Sequence, residues 1–258
     1  MEGFVQPLRA YEHWLAQYKR VWRGTLGTSI VNPLLYLAAL GVGLGTIVDR
    51  SQNAPAGVPY LDFIAPGLLA AAAMQTAATE SSWPVMGAIK WTRTYYAMTA
   101  TPLTERDVLI GHQLFVITRV LTASAAYLLA VAAFGAVHSW LGLLAVPAAV
   151  AIGTAFSMPM AAYAASSESD TSFPPIFRFV IVPMFLFSGT FFPVSQMPLV
   201  LELLAYVTPI WHGVELCRGL MLGTIELLPA LGHLAYLLAW TFAGLALARR
   251  AYRHRLFK

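Results

Sequence analysis

The sequence predicts an all-α membrane protein with six spans, and three observations predict it. Only 11% of the 258 residues are charged while 58% are hydrophobic, against about 25% charged in a soluble domain. That deficit decides the class, because a water-facing surface needs charge to stay in solution. Apolar runs of about 20 residues, long enough for a hydrocarbon core about 30 Å thick, recur along the chain. Lysine and arginine gather at the two ends and in one internal connection, which sets an orientation.

The predicted spans cover 25–48, 60–83, 114–134, 141–165, 175–192 and 227–248. The fifth is the shortest, interrupted by Arg178 and Pro183. Before the first span lie Arg9, Lys19, Arg20 and Arg23; after the second, Lys90, Arg93 and Arg106; in the tail, Arg249, Arg250, Arg253, Arg255 and Lys258. The opposite side holds only Arg50 and Arg218. Both termini are therefore expected in the cytoplasm, with the spans in the inner (plasma) membrane. Six spans satisfy that parity. The segment 166–173 then falls inside, although it carries Glu168 and Asp170 and no base. The first 24 residues mix aromatics with charges and hold no uninterrupted apolar stretch, which argues against a secretory signal.

Three segments outside the spans have their own pattern. In 7–23, Leu8, Tyr11, Leu15, Tyr18 and Trp22 recur at steps of three and four, with Trp14 adding a further aromatic and Arg20 on another face. Such a helix can lie on the membrane surface, aromatics in the headgroup layer and bases toward phosphate, or pack against a partner. The connection 84–107 is the longest on the inner side. Its middle, 88–100, reads as a short helix with Lys90, Trp91, Arg93, Tyr95, Tyr96 and Met98, ended by Thr101-Pro102. By its chemistry it is a docking surface, the alternative being an interfacial loop. Thr104 followed by Asp107 predicts an N-cap for the third span. In 193–226, prolines at 193, 198 and 209 break the apolar sequence into pieces too short to span. These suit re-entrant or surface-lying outer helices, with Glu202, His212, Glu215 and Arg218 giving them a polar side.

Several chemistries are excluded. There is no G-x-x-x-x-G-K-[ST], no H-E-x-x-H and no G-x-S-x-G. The six histidines are scattered without metal-ligand spacing, and the lone Cys217 permits no internal disulfide. No catalytic group, metal or cofactor is assigned to the chain. The net charge of +4 points to anionic membrane lipids, not nucleic acid, because the bases sit beside spans. Glycines 41, 43 and 45 lie inside the first span. With no strand before them they serve close helix approach, not nucleotide binding.

Charges within spans are costly and mark function or structure. Glu80 and Arg119 both fall in the inner third of neighbouring antiparallel spans and are expected to pair, as a structural pair or as part of a substrate path. Asp62 and Arg178, near span ends, are expected to reach headgroups. Phe177, Phe179, Met184, Phe185 and Phe187 of the fifth span can face lipid, neighbouring helices or a lipid-tolerant pathway.

Three motifs carry a resemblance over essentially the whole chain. They are Tyr60-Leu-Asp-Phe-Ile-Ala-Pro-Gly-Leu-Leu69, then Ala100-Thr-Pro-Leu-Thr104 through Ile110-Gly-His112. The third is Leu186-Phe-Ser-Gly-Thr-Phe-Phe-Pro-Val-Ser-Gln-Met-Pro198, followed by Thr208-Pro209. In order and spacing they resemble the type 2 ABC-transporter permeases, nearest the lipo-oligosaccharide (nodulation-factor) and drug-export branch. The resemblance implies six spans, an N-terminal interface helix, outer helices after the fifth span, and a coupling helix in 88–100. It implies a permease dimer, here a homodimer, seated on two copies of a separate ABC ATPase subunit that holds ATP and magnesium. A membrane-embedded enzyme or assembly factor would instead cluster catalytic polar groups in the spans. A channel or secondary transporter would carry more intramembrane acids or matching broken helices.

Overall fold

The computed structural model describes residues 2–50 and 57–257. Lys258 and the Arg23 side chain, both counted toward the basic ends, lie outside that description. Helix α1 (Glu2–Tyr36) runs without a break through π-helical turns (Leu37–Leu44) into α2 (Gly45–Arg50). Helices α3 (Tyr60–Glu80) and α4 (Trp83–Lys90) follow, then the short α5 (Thr94–Thr99) and the long α6 (Glu105–Ala133). A 3₁₀ turn (Trp140–Leu144) leads into α7 (Ala145–Ser166). Helix α8 (Phe173–Ile176) passes through π-helical turns (Phe177–Ile181) into α9 (Val182–Phe187). Helices α10 (Leu199–Val207), α11 (Pro209–Leu222) and α12 (Leu227–Leu256) complete the chain. Among the described residues there is no strand.

Six helical stretches are long and apolar enough to cross a bilayer: Val31–Arg50, Tyr60–Lys90, Glu105–Ala133, Trp140–Ser166, Asp170–Phe187 and Leu227–Leu256. The all-α, six-span expectation holds, with shifts at the edges. The third stretch starts nine residues before the expected 114 because the Thr104 cap forms: Asp107 N–H donates to Thr104 Oγ1 (3.3 Å) and Thr104 N–H to Asp107 Oδ2 (2.8 Å). The fifth ends five residues before the expected 192. Gly189 takes φ +82°, which favours glycine and stops the helix. Pro183 is tolerated there because it opens α9 just after the π-helical turns.

The second span is the hub. Of its most apolar stretch 78% is buried, against 18%, 17% and 11% for the first, fifth and sixth spans. Lipid offers no hydrophobic drive between helices, so small residues set how closely they pack. Accordingly α3 buries Ala70, Ala71, Ala73, Ala77 and Ala78 among α6, α7 and α11. At Gly41 an added Cβ would collide with Leu61 of α3, whereas at Gly43 it would meet no atom of α3. One of the three first-span glycines thus serves the expected close approach to α3.

The core has two parts. One surrounds α3 with Phe63, Ile64, Met74, Tyr127, Ile152 and Met221. The other, at the end holding the basic connections, joins Trp14, Val85, Tyr95, Leu109, Phe173 and Tyr252. The acidic 166–173 segment belongs to that same end, since Glu168 pairs with Lys90 (2.8 Å) and Arg255.

Candidate functional site

The connection between α3 and α6 is two short helices, not the single helix expected over 88–100. Helix α4 stops at Lys90, where Trp91 N–H and Thr92 N–H both donate to Gly87 O (3.0 and 2.9 Å). Arg93 then takes φ +52°, a left-handed conformation uncommon outside glycine, and turns the chain into α5. The turn sorts the six expected docking residues. Trp91 (62% exposed), Arg93 and Tyr96 (38%) face out. Lys90 is taken up by Glu168. Tyr95 and Met98, three apart and so on one face of α5, are buried and serve as anchors instead of surface. Tyr96 also donates through its hydroxyl to Arg255 O (3.2 Å). Beside this surface a cleft of about 690 Å³ is lined by His13, Gln17, Arg20, Trp83 and Trp91.

Tyr95 begins a buried polar chain. His112 Nε2 lies 2.9 Å from Glu80 O. A carbonyl only accepts, so Nε2 carries the proton and Nδ1 accepts from the Tyr95 hydroxyl. The Glu80 side chain accepts from Arg119 Nε at 3.0 Å, and Arg119 Nη1 donates to the Tyr18 hydroxyl at 2.9 Å. The structure thus brings Glu80 and Arg119 together, with Arg119 2% exposed. The chain of contacts runs from α5 through α6 and the C-terminal end of α3 to α1.

The N-terminal helix differs from a separate helix lying on the bilayer. Its aromatics turn toward α6: Trp14 is buried against His112 (ring centroids 4.4 Å apart) and Phe115 (5.9 Å). The Tyr11 hydroxyl meets Thr118 Oγ1 (3.1 Å). The packed face therefore contains Ala10, Tyr11, Trp14 and Tyr18. Leu8, Arg20 and Trp22 are exposed. One face of the helix is taken up by α6, which offers its own aromatic and polar partners there.

At the end of the bundle away from the basic connections, α10 and α11 meet at an 82° bend. The Tyr206 hydroxyl donates to Glu202 (2.8 Å). His212 donates from Nε2 to Tyr206 O (3.0 Å) and contacts His233 Nδ1 of α12 at 2.9 Å. Two expectations are corrected here. Arg218 is buried, not on a polar surface: it pairs with Glu215, donates to Gly189 O (2.6 Å) and covers the Phe63 ring at 4.0 Å. The helix break at Gly189 leaves a carbonyl free, and the guanidinium satisfies it. Asp62 does not reach headgroups; it is buried and contacts His138 Nε2 at 2.8 Å.

Sequence reasoning missed His112, Glu168 and His138. Glu168 left a signal, an acid alone in a segment placed among bases, and His112 stood in the motif ending Ile110-Gly-His112. The two ion pairs of Glu168, Arg255 first and then Lys90, push its carboxyl down to about 2, so the bridge stays charged across neutral and moderately acidic pH.

Comparison with known proteins matches residues 12–222 to the ABC-2 type transporter family. Nodulation protein J of Rhizobium leguminosarum bv. viciae is 34% identical over 82% of this chain and 83% of its own length. Nodulation protein J of Rhizobium leguminosarum bv. trifolii is 32% identical, covering 92% and 93%. That of Neorhizobium galegae is 30% identical, covering 96% and 94%. The family match takes in the connection between α3 and α6 and the first five spans, and it agrees with the motifs in the second, third and fifth spans. The chain therefore belongs to the ABC-2 type transporter family, as a membrane permease.

Proposed function

We propose that the chain exports a lipidic, amphipathic or drug-like substrate from the cytoplasm, as a homodimer seated on two copies of a separate ABC ATPase that holds ATP and magnesium. The termini are cytoplasmic and the membrane is the inner one, a placement supported by the basic ends. The basic ends also favour anionic headgroups. The observation that carries the proposal is the Trp91, Arg93 and Tyr96 surface mounted on fully buried Tyr95. Closure of the ATPase pair on ATP moves that surface. Tyr95 has no space to move alone in a close-packed interior, so the displacement passes to His112 and on to the inner ends of α3 and α6. The Glu80–Arg119 contact then travels with both helices and keeps a charge pair matched within the bilayer.

The likeness to the lipo-oligosaccharide branch makes that substrate class the first to test. Inverted vesicles containing the chain and its co-expressed ATPase should accumulate a fluorescent lipo-oligosaccharide or a fluorescent drug only with ATP and magnesium. Accumulation of either probe without ATP, or ATP hydrolysis by the chain purified alone, would overturn the proposal.

A further inference from the structure

We propose that a groove between the inner ends of α7 and α12 binds an anionic phospholipid of the leaflet on that side. The two helices meet where Gly244 abuts Pro159: a Cβ on Gly244 would lie 2.5 Å from Pro159 Cδ. Toward the inner end they leave a cleft of about 1100 Å³ between them. On α7 it is lined by Pro159, Ala162, Tyr163, Ala165 and Ser166, of which only Tyr163 is large. On α12, Leu247, Arg250 and His254 recur at steps of three and four and so share one stripe.

The groove has the polarity of an amphiphile. Its deep end is apolar, and α12 is the least buried span, so the cleft opens to the acyl region of the bilayer. Its mouth, at the end holding the basic connections, carries Arg250, His254 and Arg255. Glu168 neutralises Arg255, whereas among the described residues Arg250 is exposed and makes no ion pair with a carboxylate. An exposed cation above an apolar trough at the water boundary attracts a lipid phosphate while the trough takes the chains. This goes beyond the export reading and needs only that α7 and α12 cross the bilayer.

The test uses the purified full chain in nanodiscs of mixed phosphatidylglycerol and phosphatidylcholine, with lipids retained after extraction counted by native mass spectrometry. Phosphatidylglycerol should be retained in preference. Arg250→Gln should weaken its retention about five-fold, the weight of one cationic side chain at an anionic surface. Ser166→Trp, which fills the mouth from an exposed position without changing charge, should weaken it at least as much. Arg9→Gln, an exposed cation on α1, should leave retention unchanged. Equal retention of the two lipids would overturn the site. So would an equal loss in Arg9→Gln, which means diffuse charge, or no loss in Ser166→Trp, which means no shaped groove. Neither ATPase nor nucleotide is present, so the outcome is independent of whether the chain exports.

Discussion

Arg119 is charged, 2% exposed and set inside a span. It is tolerated there because its partners are satisfied together: Glu80 takes its Nε, and the Tyr18 hydroxyl and ring take an Nη and the guanidinium face. Removing one partner of a buried pair leaves an uncompensated charge and costs about 3–5 kcal/mol. Glu80→Gln or Arg119→Gln should each lower the thermal unfolding midpoint sharply. The double reversal Glu80→Arg with Arg119→Glu should regain most of the loss, because a carboxylate at 119 can still accept from the Tyr18 hydroxyl. No recovery would mean the two side chains act separately. This contact was legible because two charges stood in apolar runs at matching depth on adjacent spans. Asp62 and Arg218 were not legible. Their partners, His138 and the Gly189 carbonyl, lie 76 and 29 residues away and meet them only after the outer loops have packed.

At the scale of the element, the 83–104 segment shows where periodicity misleads. A run of aromatic and basic residues reads as one amphipathic helix, but the left-handed Arg93 resets the phase between α4 and α5. Tyr95 is then buried while its neighbour Tyr96 is exposed. A variant aimed at the docking face must therefore spare Tyr95, whose change to Asp would bury a charge and impair folding. Trp91→Asp with Tyr96→Asp should instead yield a folded, membrane-inserted chain whose transport falls at least ten-fold while the partner still hydrolyses ATP. Transport per ATP hydrolysed is the quantity to measure; an unchanged ratio would remove this face from coupling. The N-terminal helix teaches the same lesson. Its aromatic repeat was visible, but which side the aromatics would face depended on α6 supplying His112, Phe115 and Thr118 at the right height.

Over the whole molecule, six apolar runs and the basic connections between them were sufficient to state the architecture, since the bilayer accepts few alternatives to helices. The doubtful parity of the 166–173 segment is resolved by Glu168, which ties it to Lys90 and Arg255 at one end of the bundle. What the apolar pattern left open was the centre of the bundle. All six runs look alike in hydropathy, yet α3 is buried and α12 is not, because alanine-rich faces pack in lipid where leucine and phenylalanine gain little. The central claim is that energy enters at the end carrying Trp91, from another polypeptide. A photocrosslinking amino acid placed at Trp91 in intact cells tests it, with the same probe at Trp140, 79% exposed in the connection preceding α7, as the contrast. Position 91 should capture an ABC ATPase and position 140 should not. Capture from position 140, or none from 91 in cells that transport, would contradict that claim.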